Sequence, residues 1–240
     1  MKTPIVALLF AMASVATLPA AVTITTTMLV PNGSASGGTG SAGTTSLTTS
    51  SGSISVATTG DPANVVLPVS TYTVTGVDLT SVGGGASESF TFTVTYTATT
   101  DGSTAGTVVF SGFGNVAVTG GLGNNWVDDT ETLTATVALT DSSFPDLSLT
   151  GFTRVVLGAF DSGDAGAVIH GGGTTSLVTS PSAVNIYTIS GSSFILDPEG
   201  ISSEFSLQGF DVQFEAVPEP TSAALLAIGA VVLLRRRRTA

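Results

Sequence analysis

The sequence predicts an all-β protein whose exported part is an antiparallel β-sandwich with jelly-roll-like connectivity. Apolar and polar residues alternate with a period of two, many short apolar runs are bounded by Gly, Asp, Asn or Pro, and residues 21–216 show no helical period with capping residues. Many short strands of this kind are typical of sandwiches and jelly rolls. The Gly and Thr richness makes a solenoid the second choice, although no repeat of about 20–50 residues is found.

The N-terminal residues 1–20 are predicted to be a secretory signal peptide that contains a signal helix. Lys2 precedes an apolar stretch, Ile5–Val15, and small residues follow. Signal peptides have this order of a basic residue, an apolar core and a small-residue cleavage site. Cleavage after Ala20 and cleavage after Ala21 both fit the pattern. The sequence therefore predicts an exported protein.

Residues 21–60 are predicted to form a Thr/Ser/Gly-rich arm or edge strands. Within Asn32–Gly60 the large apolar residues are Leu47, Ile54 and Val56 alone. So little apolar surface does not offset the conformational entropy that is lost on folding. The alternative is a glycan-bearing tract, because secreted Ser/Thr-rich stretches are often O-glycosylated.

The sandwich itself is predicted to span residues 61–216. In residues 89–98, Phe, Val, Tyr and Ala alternate with Ser and Thr, and similar alternation recurs in residues 132–139 and 210–215. Successive side chains of a strand point to opposite faces of its sheet. Each segment therefore places an apolar face on a core and a polar face toward solvent, as half-buried antiparallel strands do.

Two glycines are predicted to mark β-bulges in this domain. The apolar positions change parity across Gly76, between Val74 and Val77, and again across Gly209. A bulge inserts one extra residue into a strand, and glycine often occupies such a position.

Shorter strand candidates fill the intervals between the alternating segments. Each is a short apolar run bounded by residues that favour turns. They cover residues 107–110, 115–118, 146–150, 152–160, 166–170, 175–179, 184–190 and 193–196.

The C-terminal residues 217–240 have three parts in a fixed order. A motif of Pro218, Glu219 and Pro220 precedes the apolar run Ala223–Leu234, and four arginines follow, namely Arg235, Arg236, Arg237 and Arg238. The prolines hold the motif out of a regular helix. The apolar run spans roughly 18 Å as a helix, which is less than the roughly 30 Å of a hydrocarbon core. We therefore predict a short transmembrane helix whose arginines orient the C-terminus toward the cytoplasm.

This order of motif, apolar helix and basic tail resembles the C-terminal signal of bacterial PEP-CTERM proteins. The resemblance covers residues 217–240 and implies that an exosortase, a membrane peptidase, recognises Pro218, Glu219 and Pro220. It implies an inner-membrane intermediate, followed by delivery to the cell surface or extracellular matrix of a Gram-negative bacterium. The alternative is a single-pass anchor in which the Pro-Glu-Pro motif is coincidental.

The exported part of the chain is strongly acidic. Lys2 and the four C-terminal arginines are five of the six basic residues, so residues 21–217 keep only Arg154 against sixteen acidic residues, a net charge of about −15. Such a surface repels phosphate groups, which excludes nucleic acid and anionic lipid as direct partners. The absence of cysteine excludes a disulfide framework, thiol chemistry and Cys-ligated zinc.

The single histidine limits the catalytic chemistry that the chain offers. His170 precedes three glycines and is predicted to be a turn or strand-end residue. A Ser-His-Asp triad would need this residue as its base, and a zinc enzyme would lack its usual nitrogen ligands. No catalytic residue is therefore predicted, although glycosidase chemistry by a pair of carboxylates stays open.

Two acidic clusters are candidate calcium sites. The first contains Asp128, Asp129 and Glu131, and the second contains Asp161 and Asp164. Carboxylate oxygens on loops suit calcium. Neither spacing matches an EF-hand loop, and turns with solvated carboxylates are the competing interpretation for both clusters.

Trp126 has two interpretations, a stacking platform for a sugar ring or a partly buried core residue. The sequence as a whole favours a surface-sorted structural or interaction protein without catalytic activity. A secreted carbohydrate-binding module for extracellular polysaccharide is the alternative, and an exported hydrolase is the third possibility. An aromatic strip on one sheet face would favour the module, and two carboxylates facing each other in a cleft would favour the hydrolase.

Overall fold

The structure, a computed structural model, describes nine segments of the chain. They are residues 21–29, 53–58, 69–100, 104–111, 115–119, 126–158, 164–179, 184–199 and 203–218. Within these segments no helix has the length and apolar character needed to cross a membrane. The predicted signal helix and the predicted C-terminal transmembrane helix both lie outside the described residues.

The described residues form fourteen strands and one short 3₁₀ turn, Thr80–Val82. In chain order the strands are β1 Val22–Leu29, β2 Ser53–Thr58, β3 Val69–Val77, β4 Glu88–Thr100, β5 Thr104–Ser111, β6 Asn115–Thr119, β7 Val127–Asp128, β8 Glu131–Ser142, β9 Leu147–Gly158, β10 Ala165–His170, β11 Thr174–Thr179, β12 Val184–Thr188, β13 Ser193–Glu199 and β14 Glu204–Ala216. All of the strand pairs are antiparallel. The predicted all-β antiparallel class is confirmed.

The strands form two sheets that are joined through β5. In sheet I, β12 pairs with β9, β9 pairs with β14, and the other side of β14 is shared by β1, β6 and β7. In sheet II the order is β11, β10, β13, β8, β4, β3 and β2. The first residues of β5 pair with β4, and its later residues pair with β6, so this strand passes from one sheet to the other.

The second half of the chain alternates between the two sheets. Strand β8 lies in sheet II, β9 in sheet I, the β10–β11 hairpin in sheet II, β12 in sheet I, β13 in sheet II and β14 in sheet I. Each sheet is therefore assembled from segments that are distant in sequence.

The core lies between the two sheets, where aromatic rings of one sheet contact rings of the other. Ring centroids are 5.9 Å apart for Tyr72 and Phe210, 4.6 Å for Phe90 and Phe214, and 4.8 Å for Phe152 and Phe194. These are ordinary distances for interacting aromatic pairs. The two sheets thus pack face to face as a sandwich.

The predicted alternation is confirmed in β4 and β8. Phe92 and Val94 are fully buried, whereas Thr93, Thr95 and Thr97 are partly or fully exposed. Neighbouring strands align these threonines, and the side-chain hydroxyls of Thr99 and Thr132 lie 2.6 Å apart in a hydrogen bond. Such cross-strand pairs stabilise the outer face of sheet II.

Both predicted bulges are confirmed by the pairing register. The register between β3 and β4 shifts between Val74 and Val77, and Gly76 between them has a φ of 73°. The register between β14 and β9 shifts between Leu207 and Gly209.

The prediction of two separate strands at 146–150 and 152–160 was wrong. The structure has a single strand there, β9, which continues through Gly151 at a φ of 122°. Strand β14 pairs along both halves of β9, and this long-range pairing keeps the chain extended across the glycine.

Two segments of the Thr/Ser/Gly-rich region are strands. Strand β1 pairs with β14 from Val22 to Leu29, and β2 pairs with β3 as the last described strand of sheet II. Residues 30–52 and 59–60 lie outside the described residues.

Candidate functional site at the C-terminal junction

Strand β14 connects the sandwich to the C-terminal motif. It is one of the two longest strands, with 13 residues, and it pairs with β9 on one side and with β1, β6 and β7 on the other. Phe210, Val212, Phe214 and Ala216 have no exposed surface. The strand that leads into the motif is therefore held on both edges and on its core face.

The chain leaves the sandwich at Val217 and Pro218. The Val217 backbone N–H donates a hydrogen bond to the Asp146 carbonyl oxygen at 3.2 Å, and the Val217 side chain is 46% exposed. Pro218 is half-buried. Regular backbone pairing thus ends immediately before the Pro-Glu-Pro motif. Glu219 and Pro220, together with the apolar run and the arginines, lie outside the described residues.

The N-terminal strand begins at the same end of the sandwich. Val22 pairs with Ala216 across the β1–β14 ladder, and Ala216 is two residues from Pro218. We call this the terminal end of the sandwich, defined by Val22, Ala216 and Asp146. The predicted signal-peptide cleavage site and the predicted sorting motif therefore adjoin neighbouring strands at one end of the domain.

A carboxylate that the sequence analysis missed binds two loops near the terminal end. Glu88 accepts a hydrogen bond from the Gly85 N–H at 2.6 Å and another from the Ser143 hydroxyl. These bonds lower the pKa of Glu88, with the Ser143 hydroxyl as the larger cause. The β3–β4 loop is thereby joined to the β8–β9 turn that contains Asp146. This hydrogen bond could not be predicted, because Glu88 and Ser143 are far apart along the chain.

The first predicted calcium cluster forms a hydrogen-bonded turn between β7 and β8. Asp128 accepts hydrogen bonds from the Thr130 N–H at 2.9 Å and from the Thr130 hydroxyl at 2.7 Å. Glu131 accepts a hydrogen bond from the Asp128 N–H at 3.2 Å. Asp128 and Glu131 are buried, whereas Asp129 is exposed. These contacts are those of a turn stabilised by its own carboxylates.

Asp164 of the second predicted calcium cluster is connected to the first cluster through Glu204 of β14. Asp164 is buried and accepts a hydrogen bond from the Glu204 N–H at 3.4 Å, and Glu204 pairs with Asp128 in the β7–β14 register. Asp161 lies outside the described residues. Among the described residues no group of three or more His, Asp or Glu side chains is arranged to hold a metal ion. We call this region, defined by Asp128, Glu131, Asp164 and Glu204, the acidic end.

His170 is buried in a hydrogen-bonded position at the end of β10. Its Nδ1 accepts from the Ser190 backbone N–H at 3.1 Å, and its Nε2 lies 3.1 Å from the Ser176 hydroxyl. Because Nδ1 accepts, the neutral ring carries its proton on Nε2 and donates to Ser176. A general base would have to accept the serine proton instead, so these contacts link strands rather than activate a nucleophile.

Trp126 precedes β7 and is half-buried. Its carbonyl oxygen accepts a hydrogen bond from the Val118 N–H at 3.2 Å. In the part of the chain that the structure describes, the exposed large hydrophobic side chains are all aliphatic, namely Leu177, Ile186 and Val217. An exposed aromatic strip is therefore absent from the described strands.

The comparisons with known proteins agree with the geometry of the junction. The family model of the PEP-CTERM protein-sorting motif matches residues 216–238. The match begins at the last residue of β14 and covers the Pro-Glu-Pro motif, the apolar run and the four arginines. No curated protein and no solved structure matches the chain. The predicted C-terminal sorting signal is confirmed.

Proposed function

We propose that this chain, which the PEP-CTERM protein-sorting motif marks as an exosortase-sorted exported protein, is a structural or interaction protein of the cell surface or extracellular matrix. The observation that carries the proposal is the position of the motif. The family match starts where β14 ends, so the whole folded domain precedes the signal and is available as cargo.

The short connection between fold and membrane segment defines the intermediate that we propose. Four residues lie between Pro218 and Ala223, where the apolar run begins, so the chain makes five Cα-to-Cα steps from one to the other. Even fully extended, these five steps reach about 18 Å. The terminal end of the sandwich is therefore held next to the inner membrane before processing, with Pro218, Glu219 and Pro220 between the membrane and the fold.

A non-catalytic role is supported by the contacts of the histidine and of the predicted calcium ligands. His170 donates to Ser176 rather than accepting from it, and Asp128 and Glu131 are hydrogen-bonded within their own turn. The exported domain then acts as a rigid, acidic display unit. Its alternating sheet connections support the further assignment of a jelly-roll-like sandwich.

The alternative function is a secreted carbohydrate-binding module for extracellular polysaccharide. Trp126 favours it, because this half-buried residue directly precedes β7. A tryptophan ring provides a face on which a sugar can stack. Binding of the exported protein to a panel of matrix polysaccharides, lost in Trp126→Ala, would favour this alternative over a purely structural role.

The sorting proposal is tested by the mass of the mature protein. In a bacterium that contains an exosortase, the wild-type chain is expected to lose its C-terminal arginines, whereas Glu219→Ala is expected to retain them. Glu215→Ala is the matched control, because it removes the same charge from an exposed position four residues earlier. A wild-type protein that keeps Arg235 to Arg238 in such cells would contradict the proposal.

A further inference from the structure

Strand β11 is the last strand of sheet II among the described residues. It pairs with β10 from His170 opposite Thr174 to Ala165 opposite Thr179, and no register shift interrupts this pairing. Its other edge has no neighbouring strand in the described part of the chain. The six residues, Thr-Thr-Ser-Leu-Val-Thr, contain neither a charge nor a proline.

The edge of β11 lacks the features that usually prevent strands from associating. Proteins protect sheet edges with lysine, proline, bulges or inward-pointing charges. Strand β11 has none of these, and Leu177 on its outer face is 66% exposed. On the inner face Val178 is buried and Ser176 is hydrogen-bonded to His170, so the strand is firmly fixed to the sandwich.

We propose that β11 pairs antiparallel with β11 of a second copy of this chain, about a two-fold axis at Leu177. A contact of this kind uses the same surface patch on both copies, as two-fold dimers do. The axis places Leu177 opposite its own copy on one face of the joined sheet. Both exposed leucine side chains leave water, and the two copies of sheet II become one continuous sheet.

The sequence of β11 favours a second copy as the occupant, because antiparallel pairing about Leu177 places Leu177 opposite Leu177 and Thr175 opposite Thr179 and brings no charges together. Two domains that each carry a net charge of about −15 repel one another, and this repulsion is weakest where the contact keeps their charges far apart. Leu177 pairs with Ala167 on β10, and Ala167 in turn pairs with Asp197 on β13. The two Asp197 residues of the dimer would be five strand spacings apart, about 24 Å. That separation exceeds the Debye length of about 8 Å at physiological salt, so their repulsion is largely screened.

The corresponding edge of sheet I provides a comparison within the same molecule. Strand β12 pairs with β9 alone among the described strands, and its Ile186 is 60% exposed. However, Thr188 of β12 pairs with Arg154, which forms an ion pair with Asp211. Within the strands, a charge thus lies one strand from this edge, whereas in sheet II the strand charges nearest to β11, Asp197 and Glu199, lie two strands away on β13.

The absence of cysteine makes a single engineered thiol a clean reporter of the proposed contact. In the full chain, exported from bacteria and treated with a mild oxidant, Leu177→Cys is expected to form a disulfide-linked dimer. Directly opposite residues of antiparallel strands have Cβ atoms about 4.5–5.5 Å apart, which is close to the separation that a disulfide spans. Ile186→Cys is the matched control and is expected to give several-fold less dimer. Equal cross-linking of the two variants would overturn the proposal.

Sedimentation of the exported protein gives a second, independent readout. The wild type is expected to sediment as a dimer and Leu177→Lys as a folded monomer, because Leu177 is exposed in the single copy and its replacement leaves the core intact. A monomeric wild type, or a dimeric Leu177→Lys variant, would overturn the proposal. Cross-linking and sedimentation can both be measured whether or not the C-terminus has been cleaved. Their results therefore test the dimer independently of the sorting proposal.

Discussion

Gly151 is the residue that allows β9 to remain one strand. Its φ of 122° lies in a region that side-chain-bearing residues rarely adopt. A Cβ atom at this position would collide with the backbone carbonyl of Gly191, which also accepts a hydrogen bond from the Phe152 N–H at 2.8 Å. The continuity of β9 and its contact with the β12–β13 connection therefore depend on the missing side chain.

Replacing Gly151 with alanine is expected to lower the free energy of unfolding by about 2–3 kcal/mol, because backbone strain and the collision with Gly191 act together. Gly172→Ala is the control, since Gly172 also has a positive φ, 79°, but has open space around it. The control is expected to lose about 1 kcal/mol. Urea unfolding measures both values, and equal losses would show that the contact with Gly191 is unimportant.

The tyrosines determine how the domain responds to alkaline pH. The exported domain contains neither lysine nor cysteine, and its arginine stays charged at all accessible pH values. Burial raises the pKa of Tyr72 to about 12, and burial also raises the pKa of Tyr96 well above its usual value. The folded state therefore keeps phenolic protons that the unfolded chain releases near pH 10.

Stability is expected to fall as pH rises above about 10, because the unfolded state there binds fewer protons than the folded state. Tyr72→Phe removes one of the two buried phenols and is expected to show a shallower loss of unfolding free energy between pH 9 and about pH 12. Chemical unfolding across this range, with phenolate absorbance recorded in parallel, measures both effects. A wild-type stability that stayed constant over the range would contradict this account.

At the scale of single elements, β14 organises the sandwich. Its residue Phe214 is fully buried and lies between two rings of β4, with centroid distances of 4.6 Å to Phe90 and 5.2 Å to Phe92. The same strand borders four others in sheet I. Strand β14 thus contributes both to the packing between the sheets and to the pairing within sheet I.

Phe214→Ala is expected to cost about 3–5 kcal/mol of unfolding free energy, because it leaves a cavity between the sheets. Val217→Ala, three residues later and partly exposed, is expected to change the free energy by less than about 0.5 kcal/mol. Thermal or urea unfolding of the two variants distinguishes the contributions. A small loss for Phe214→Ala would mean that the core between β4 and β14 is not tightly packed.

The elements differ in how far the sequence could predict them. Strand β4 and the bulge at Gly209 follow from local alternation, and the structure confirms both. The continuity of β9 through Gly151 could not be predicted, because it depends on pairing with a strand more than fifty residues away. The sorting signal was predictable since its parts are contiguous. The proximity of Asp128, Asp164 and Glu204 could not be predicted, because it depends on the pairing of β7 with β14.

At the scale of the whole molecule, self-repulsion among acidic side chains dominates the electrostatics. Residues 21–217 contain sixteen carboxylates and one guanidinium. That guanidinium, of Arg154, forms an ion pair with Asp211 at 2.8 Å. Added salt weakens the repulsion between separated charges more than it weakens one close pair.

The melting temperature of the exported protein is expected to rise from low salt to physiological salt. Calorimetry with sodium chloride measures this shift, and an equal ionic strength of a second monovalent salt is the control for specific ion effects. A melting temperature that fell with salt would mean that attractive pairs outweigh repulsion in this fold.

The pairing of Val22 with Ala216 also determines how the domain bears mechanical load. If the predicted signal helix and the predicted C-terminal helix are both in the membrane, lateral movement of the two helices pulls on β1 and β14 from the same end. A force in that direction separates β1 from β14 one residue pair after another, instead of loading all eight residue pairs at once. In that arrangement the domain would open first at the pair Val22–Ala216, and cleavage of either predicted membrane segment would remove the load.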